Sequence, residues 1–197
     1  MNKMFVALFL LLFAVALMLV GCQATRAGYE SAPYQVVRTD GKFEVREYPA
    51  LTVVETPMNR HGNEADGSFN RLFGFITGRN EAKKKLSMTT PVFISGSDSN
   101  RTMAFVMPAR MNVAQAPKPA DGALTVRELP AGRFAVLRFS GTRNEKMETD
   151  ALGRLQTWMA AAGLQWLPPP VYGYYDPPWT PAFLRRNEVI LRTESSP

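Results

Sequence analysis

The chain has 197 residues, 46% of them hydrophobic and 20% charged, with a formal net charge of +6. Those values fit one globular core and exclude a disordered or collagen-like chain. A single Cys and a single His exclude a disulfide scaffold and the zinc sites built from several Cys and His. Lys and Arg are scattered apart from Lys83-Lys84-Lys85, so no basic stripe points to a nucleic-acid partner.

The N-terminus reads as an address. Lys3 is followed by an unbroken apolar run from Met4 to Val20, then by Gly21 and the sole Cys, Cys22. The run reaches only the lower limit for crossing a bilayer, about 17 residues. Leu19-Val20-Gly21-Cys22 resembles a bacterial lipoprotein signal, which implies lipid attachment at Cys22 and removal of residues 1–21. A membrane-spanning anchor or a buried structural Cys are the other readings. Acyl chains on Cys22 would hold the protein on a membrane, at about 0.8 kcal/mol per buried CH₂. The next residue is Gln23 rather than Asp, which by resemblance to lipoprotein sorting favours the outer membrane, facing the periplasm. Residues 22–33 are rich in small residues and read as a tether, and 34–193 as the domain.

The domain repeats itself. Val45-Arg46-Glu47-Tyr48-Pro49-Ala50 recurs as Val126-Arg127-Glu128-Leu129-Pro130-Ala131, at an offset of 126 − 45 = 81 residues. A second strand-like run follows each copy, Leu51 to Thr56 and Arg133 to Phe139. Next come helical patterns, Ala65-Phe69-Leu72-Phe73-Ile76 ending at Gly78, and Met147-Ala151-Leu155-Trp158-Met159-Ala162 ending at Gly163. Thr142 and Glu145 have capping-box spacing. After the helices, Pro91-Val92-Phe93 aligns with Pro170-Val171-Tyr172, and Ala104 to Met107 with Glu188 to Leu191. Each half reads β-β-α-β-β, joined near Pro117-Lys118-Pro119. The predicted fold is α+β: eight strands in one closed or nearly closed antiparallel sheet with both helices packed on it. Grooves between helix and sheet are then the expected ligand sites.

Catalytic motifs are lacking. His61 sits in the polar stretch Asn59-Arg60-His61-Gly62-Asn63, with no nucleophile elbow to serve. No phosphate-binding glycine loop occurs. Glu44, Glu47 and Glu128 alternate with apolar residues and read as solvent-facing. Glu188 directly follows Arg185-Arg186-Asn187 and reads as an ion pair at the start of a strand, with a carboxylate buried against an Arg as the alternative. Met88, Met103, Met107 and Met111, with Tyr172, Tyr174, Tyr175 and Trp179, form a soft aromatic inventory suited to a flat ligand, or to an ordinary core. Tyr174-Tyr175-Asp176-Pro177-Pro178-Trp179 places three large rings in a Pro-rich loop.

Several segments together resemble the SOUL family of haem-binding proteins. They are Tyr34 to Val37 with Phe43 to Tyr48, Phe69 to Gly78 with Asn80-Glu81, Lys85 to Val92, Phe105 to Pro108, Tyr175 to Pro178, and Arg185 to Val189. The resemblance spans Tyr34 to Arg192. It implies a distorted eight-stranded antiparallel barrel of two similar halves flanked by two helices, a fold shared with gyrase-inhibitor-like effector domains. It also implies haem or another porphyrin as ligand, lying on the first helix and a nearby loop. Carried over by position, the helix face is Phe69, Leu72, Phe73 and Ile76. The loop contributes Tyr174, Trp179 and Phe183. The His that one animal branch offers to iron corresponds to Glu47, and two basic positions that face the propionates correspond to Asp66 and Gly74. Arg185 and Arg186 are the candidates to replace those cations; the iron ligand is left open.

Three functions follow. The first is a lipid-anchored envelope protein that binds haem or a related tetrapyrrole for carriage, buffering or sensing, without catalysis. The second is an enzyme using the same cleft with Glu188 or Tyr174 as acid or base. The third is an envelope interaction module whose apolar loop meets a protein or lipid.

Overall fold

The structure, a computed structural model, describes residues 28–58, 66–96 and 100–194 together with Phe5. The rest of the leader, Cys22, His61 and Ala65 lie outside the described residues.

The chain enters through β1 (Glu30–Ser31), which runs parallel to β5 (Thr89–Thr90). Ala32 is buried in a core, and its N–H donates to the Thr90 carbonyl at 2.8 Å. The domain therefore starts before Tyr34: a side chain as small as Ala32 fits beneath the sheet, so residues expected in the tether are docked. A hairpin follows, β2 (Gln35–Asp40) and β3 (Phe43–Tyr48), turning at Gly41 with φ 59°. Then come β4 (Leu51–Pro57), α1 (Ser68–Ile76), β6 (Val92–Ser95) and β7 (Thr102–Val106). The second half supplies β8 (Thr125–Leu129), β9 (Gly132–Phe139), α2 (Glu145–Ala161), β10 (Trp166–Tyr174) and β11 (Asn187–Thr193).

Nine strands form one antiparallel sheet in the order β2-β3-β9-β11-β10-β6-β7-β4-β8. Exchanging the two halves maps the eight repeated strands onto the same order reversed, about an axis between β10 and β6. The register obeys the same symmetry: Val45 lies opposite Ala135, and Val126 opposite Val54. The duplication read in the sequence is therefore built into the hydrogen bonding. The sheet has two ends, β2 and β8, so it is curved but open rather than a closed barrel. β2, which is exposed along its whole length and outside the repeat, is the ninth strand.

Two alignments within the repeat need correction. Carrying the register across the sheet matches Ala104 with Ile190 and Phe93 with Val171, all in the central core. The pairing of Phe93 with Tyr172 is one residue out of step, which would put the two on opposite faces. The pairing of Ala104 with Glu188 is two residues out.

Alternation divides the apolar residues into three cores. On one face α1 covers Val54, Ile94, Met103 and Phe105, and α2 covers Ala135, Leu137, Tyr172, Val189 and Leu191. On the other face, Tyr48, Leu51, Val53, Phe93, Ala104, Val106, Val136 and Ile190 form the central core. α2 buries Ala151, Leu155 and Met159 at helical spacing. Its cap is Asn144, whose side chain accepts the Met147 N–H at 2.9 Å, so the Thr142–Glu145 box is not formed. Trp158 leaves the helix sideways to stack on Phe43 at 5.1 Å and donates to Asp40 at 2.8 Å, tying the first hairpin to α2.

Candidate functional site

α1 has two apolar faces. Leu72, Phe75 and Ile76 are buried against the sheet, where each contributes on the order of 1.5–3 kcal/mol. Phe69 and Phe73 point outward, 39% and 45% exposed, and stack with centroids 5.9 Å apart and planes 13° apart. The structure therefore does not bring Leu72 and Ile76 to the expected ligand face. Four-residue spacing joins Phe69 to Phe73, whereas Leu72 and Ile76 fall on the stripe that faces the sheet. Phe69 also meets Phe105 edge-on at 5.2 Å. Phe105 lies opposite Val92, and Val92 opposite Tyr174, so one cross-strand row runs from the Phe69 contact to Tyr174.

A cation accompanies the exposed rings. A Cβ at Gly74 would come within 2.2 Å of the Arg79 Nε, so the guanidinium occupies the space left by the missing side chain. Arg79 Nη2 donates to the Asn70 carbonyl at 3.0 Å. A guanidinium thus stands beside Gly74, brought there from five residues on. Beside it is a hollow of about 380 Å³, lined by Gly67, Asn70, Arg71, Arg79, Ala120, Asp121 and Leu124. Nothing in the helical periodicity announces Arg79; the clue was a glycine inside a helix with an arginine just beyond its end.

The cleft between the halves is nearly closed. Bounded by Tyr48, Pro49, Leu51, Phe93, Leu129, Pro130, Phe134, Val171 and Ile190, it measures about 60 Å³, too small for a ring system.

The segment from Tyr174 to Arg186 is braced from below. Arg46 and Glu188, both 0% exposed, form a bidentate pair: Arg46 Nη1 donates to Oε2 at 2.8 Å, and Nη2 to Oε1 at 2.9 Å. Arg186 Nη2 adds a bond to Oε1 at 2.7 Å, and Tyr175 a hydroxyl bond to Oε2 at 2.9 Å. Arg46 also donates to Glu44 at 2.6 Å, so Glu44 is turned inward rather than facing solvent. Burial alone would raise the Glu188 pKa, but the bonds and charges of Arg46 and Arg186 outweigh it and hold the carboxylate below its ordinary value. Burial likewise opposes the charge on Arg46, yet Glu188 pushes its pKa up. Burial first, then the Glu188 charge, raises Tyr175. Glu188 does start its strand in an ion pair, but it is buried against an arginine, the less favoured of the two readings; that the arginine is Arg46, inside an alternating motif, was missed.

Tyr174 faces a second carboxylate. Its hydroxyl donates to Glu148 Oε1 at 2.5 Å, and Arg101 and Arg143 also donate to Glu148. Burial, followed by the Glu148 charge, raises the Tyr174 pKa and keeps it protonated. Tyr174 and Glu188 are thus held in fixed protonation states, and neither is poised to exchange a proton near neutrality. Arg185 and Arg186 are turned inward as well. Arg185 donates to the carbonyls of Thr180 and Pro178, and Arg186 to Glu188, so both guanidinium groups are engaged within the protein. Trp179 and Phe183 stand out at 78% and 72% exposure. Among the described residues no cluster of His, Cys, Asp and Glu could hold a metal, and no helix is long and apolar enough to cross a membrane.

Comparison with known proteins matches residues 29–192 to the family described as SOUL heme-binding protein. No curated protein matches the chain. Among solved structures, a hydrolase from Listeria innocua superposes with TM-score 0.59 at 11% identity, covering 80% of this chain and 94% of that one. The EcmrR C-terminal domain superposes with TM-score 0.52 at 15% identity, covering 83% and 99%. An uncharacterized conserved protein from Listeria innocua gives TM-score 0.58 at 10% identity, covering 78% and 92%. At these identities the likeness concerns the fold.

Proposed function

The chain belongs to the SOUL heme-binding family, and we propose that it is a lipid-anchored envelope protein carrying haem or a related tetrapyrrole on the outer face of α1. The observation that carries this reading is the exposed stacked pair Phe69–Phe73 beside the Arg79 guanidinium. Apolar rings supply the contact that a macrocycle prefers, and a guanidinium suits a propionate carboxylate. The residues present thus fit the ring and its acidic edge. The only His, His61, lies outside the described residues, so the reading rests on ring and carboxylate contacts rather than on iron ligation. When bound, the group would bring its own redox and ligand chemistry; the protein's part is to hold it and orient its carboxylates. The anchor follows from Leu19-Val20-Gly21-Cys22, with the outer membrane and its periplasmic face as the proposed address.

Absorbance titration of tag-free protein beginning at Gln23, with haemin and metal-free protoporphyrin in parallel, tests the site. Both should bind. Phe73→Asp should weaken each at least tenfold, Arg79→Ala each several-fold, and His61→Ala neither. Loss with His61→Ala together with indifference to Phe73→Asp would overturn this placement. Cys22→Ser should release the protein from membranes on fractionation.

A further inference from the structure

The two most exposed rings, Trp179 and Phe183, are not needed by the α1 site. They sit on the loop between β10 and β11, which spends its polar groups on itself. Thr180 N–H donates to Pro177 at 3.0 Å, Leu184 N–H to Pro181 at 2.9 Å, and Arg186 N–H to the Asp176 carboxylate at 2.6 Å. The Arg185 side chain closes two more carbonyls, and Gly141 N–H takes that of Ala182 at 2.9 Å. What faces outward is apolar ring on a loop whose fold is fixed by these bonds. The peptide groups of Trp179 and Phe183 are not among those bonded, which suits the headgroup region, where water and polar groups are at hand, rather than the hydrocarbon core, where an unpaired peptide group costs several kcal/mol.

The loop and the start of the domain share one end of the sheet. Val92, the first residue of β6, lies opposite Tyr174, the last of β10, and the two strands are antiparallel. β1 lies against β5, just before β6, so traced toward the N-terminus the chain leaves the sheet in the direction in which β10 runs into its loop. Two contacts agree with this. Glu30 accepts the Ala109 N–H at 2.8 Å, beyond the end of β7, and the Tyr34 hydroxyl meets Arg186 at 3.2 Å, where the loop closes. From Cys22 to Glu30 is 30 − 22 = 8 residue steps, a reach of at most about 28 Å when fully extended. A lipid on Cys22 would hold this end of the domain close to the bilayer.

We propose that the Trp179–Phe183 loop is a second membrane contact, seating its rings in the headgroup region of the bilayer to which Cys22 is anchored. Indole and phenyl rings are suited to that depth, and the formal charge of the chain from Cys22, 6 − 1 = +5 once Lys3 is removed, favours an anionic surface. The contact orients the domain as well as tethering it, and leaves Phe69 and Phe73 for the tetrapyrrole. It rests on the anchor reading and is independent of the tetrapyrrole reading.

The test uses the sole thiol. Among the described residues from Gly28 on, every strand and both α1 and α2 lie within residues 30–193, so a chain beginning at Cys22 keeps them all. That chain is coupled to maleimide phospholipid in phosphatidylethanolamine–phosphatidylglycerol vesicles whose acyl chains carry bromine. Its tryptophan fluorescence should be quenched, and Trp179→Phe should remove at least half of that quenching, although Trp158 and Trp166 remain. Phe183→Ser should reduce the quenching of Trp179 by making the loop shallower. Quenching that is absent in the parent, or unchanged by Trp179→Phe, overturns the contact. Failure of the anchor reading shows separately, as unchanged membrane fractionation of the natural chain carrying Cys22→Ser.

Discussion

The motif Val-Arg-Glu-x-Pro-Ala occurs twice, in β3 and in β8, and its arginine meets opposite fates. Arg46 is completely buried and grips Glu188 with two nitrogens. Arg127, at the matching place, is 42% exposed and pairs with Glu55 at 2.7 Å. Both side chains leave their strands on the face of the central core. The difference lies in the surroundings: β3 is flanked by β2 and β9, whereas β8 is an edge strand. By register, Glu188 corresponds to Thr102, which offers no carboxylate, and Glu55 corresponds to Val136, which offers none to Arg46. A duplicated motif fixes the arginine, and its non-duplicated partner decides whether the charge goes inside.

The largest expected effect is at the shared carboxylate. Glu188→Ala removes the buried carboxylate that Arg46 and Arg186 share, leaving Glu44 as the counter-ion of Arg46, and should cost about 3–5 kcal/mol in urea denaturation. A loss below about 1 kcal/mol, the scale of a surface pair, would mean that the buried pair does not hold this end together. Next in size is the pair of arginine variants themselves. Arg46→Met should cost about 3 kcal/mol, partly offset by Arg186, while Arg127→Met should cost about 0.2–1 kcal/mol. Equal losses at the two sites would erase the distinction drawn between them.

Acid should act on the same asymmetry. The Glu188 pKa is depressed, so its stabilisation is complete above the ordinary value of 4.5 and drains away as pH falls through the lower folded value. Stability measured against pH should therefore fall less steeply below pH 4.5 in Glu188→Gln than in the parent. The smallest effect is alkaline. Burial above all pushes Tyr48 up to about 12 from 10.0, partly opposed by Arg46. Its contribution is full below pH 10 and lost as pH rises through 12, so Tyr48→Phe should remove part of the alkaline decline. Leu129 holds the corresponding place in the other half and titrates nothing.

Much of the architecture was legible because it is periodic. The offset of 81 located equivalent strands, and helical spacing located both helices. Phe69 and Phe73 were also legible, since residues four apart on a helix share a face. Leu72 and Ile76 were misjudged for a related reason: spacing gives a direction around the helix axis, but not which side meets the sheet. Arg79 escaped because its role depends on an empty volume at Gly74, and a volume is not a sequence pattern. The one-residue slip between Phe93 and Tyr172 came from matching prolines instead of hydrogen-bond partners, and in a strand such a slip exchanges inside for outside.

The sequence by itself determined the duplicated α+β plan, the family, the helix stops at Gly78 and Gly163, and the pairing of Glu188 with an arginine. These depend on local chemistry and on patterns repeated along the chain. Only the tertiary structure decided which arginine went inside, that the sheet stays open at β2 and β8, and that the cleft between the halves is nearly filled. It also decided that Trp179 and Phe183 share an end of the molecule with the first strand. Each of these depends on what a distant segment places within a few ångströms, because burial and charge pairing belong to neighbours in space.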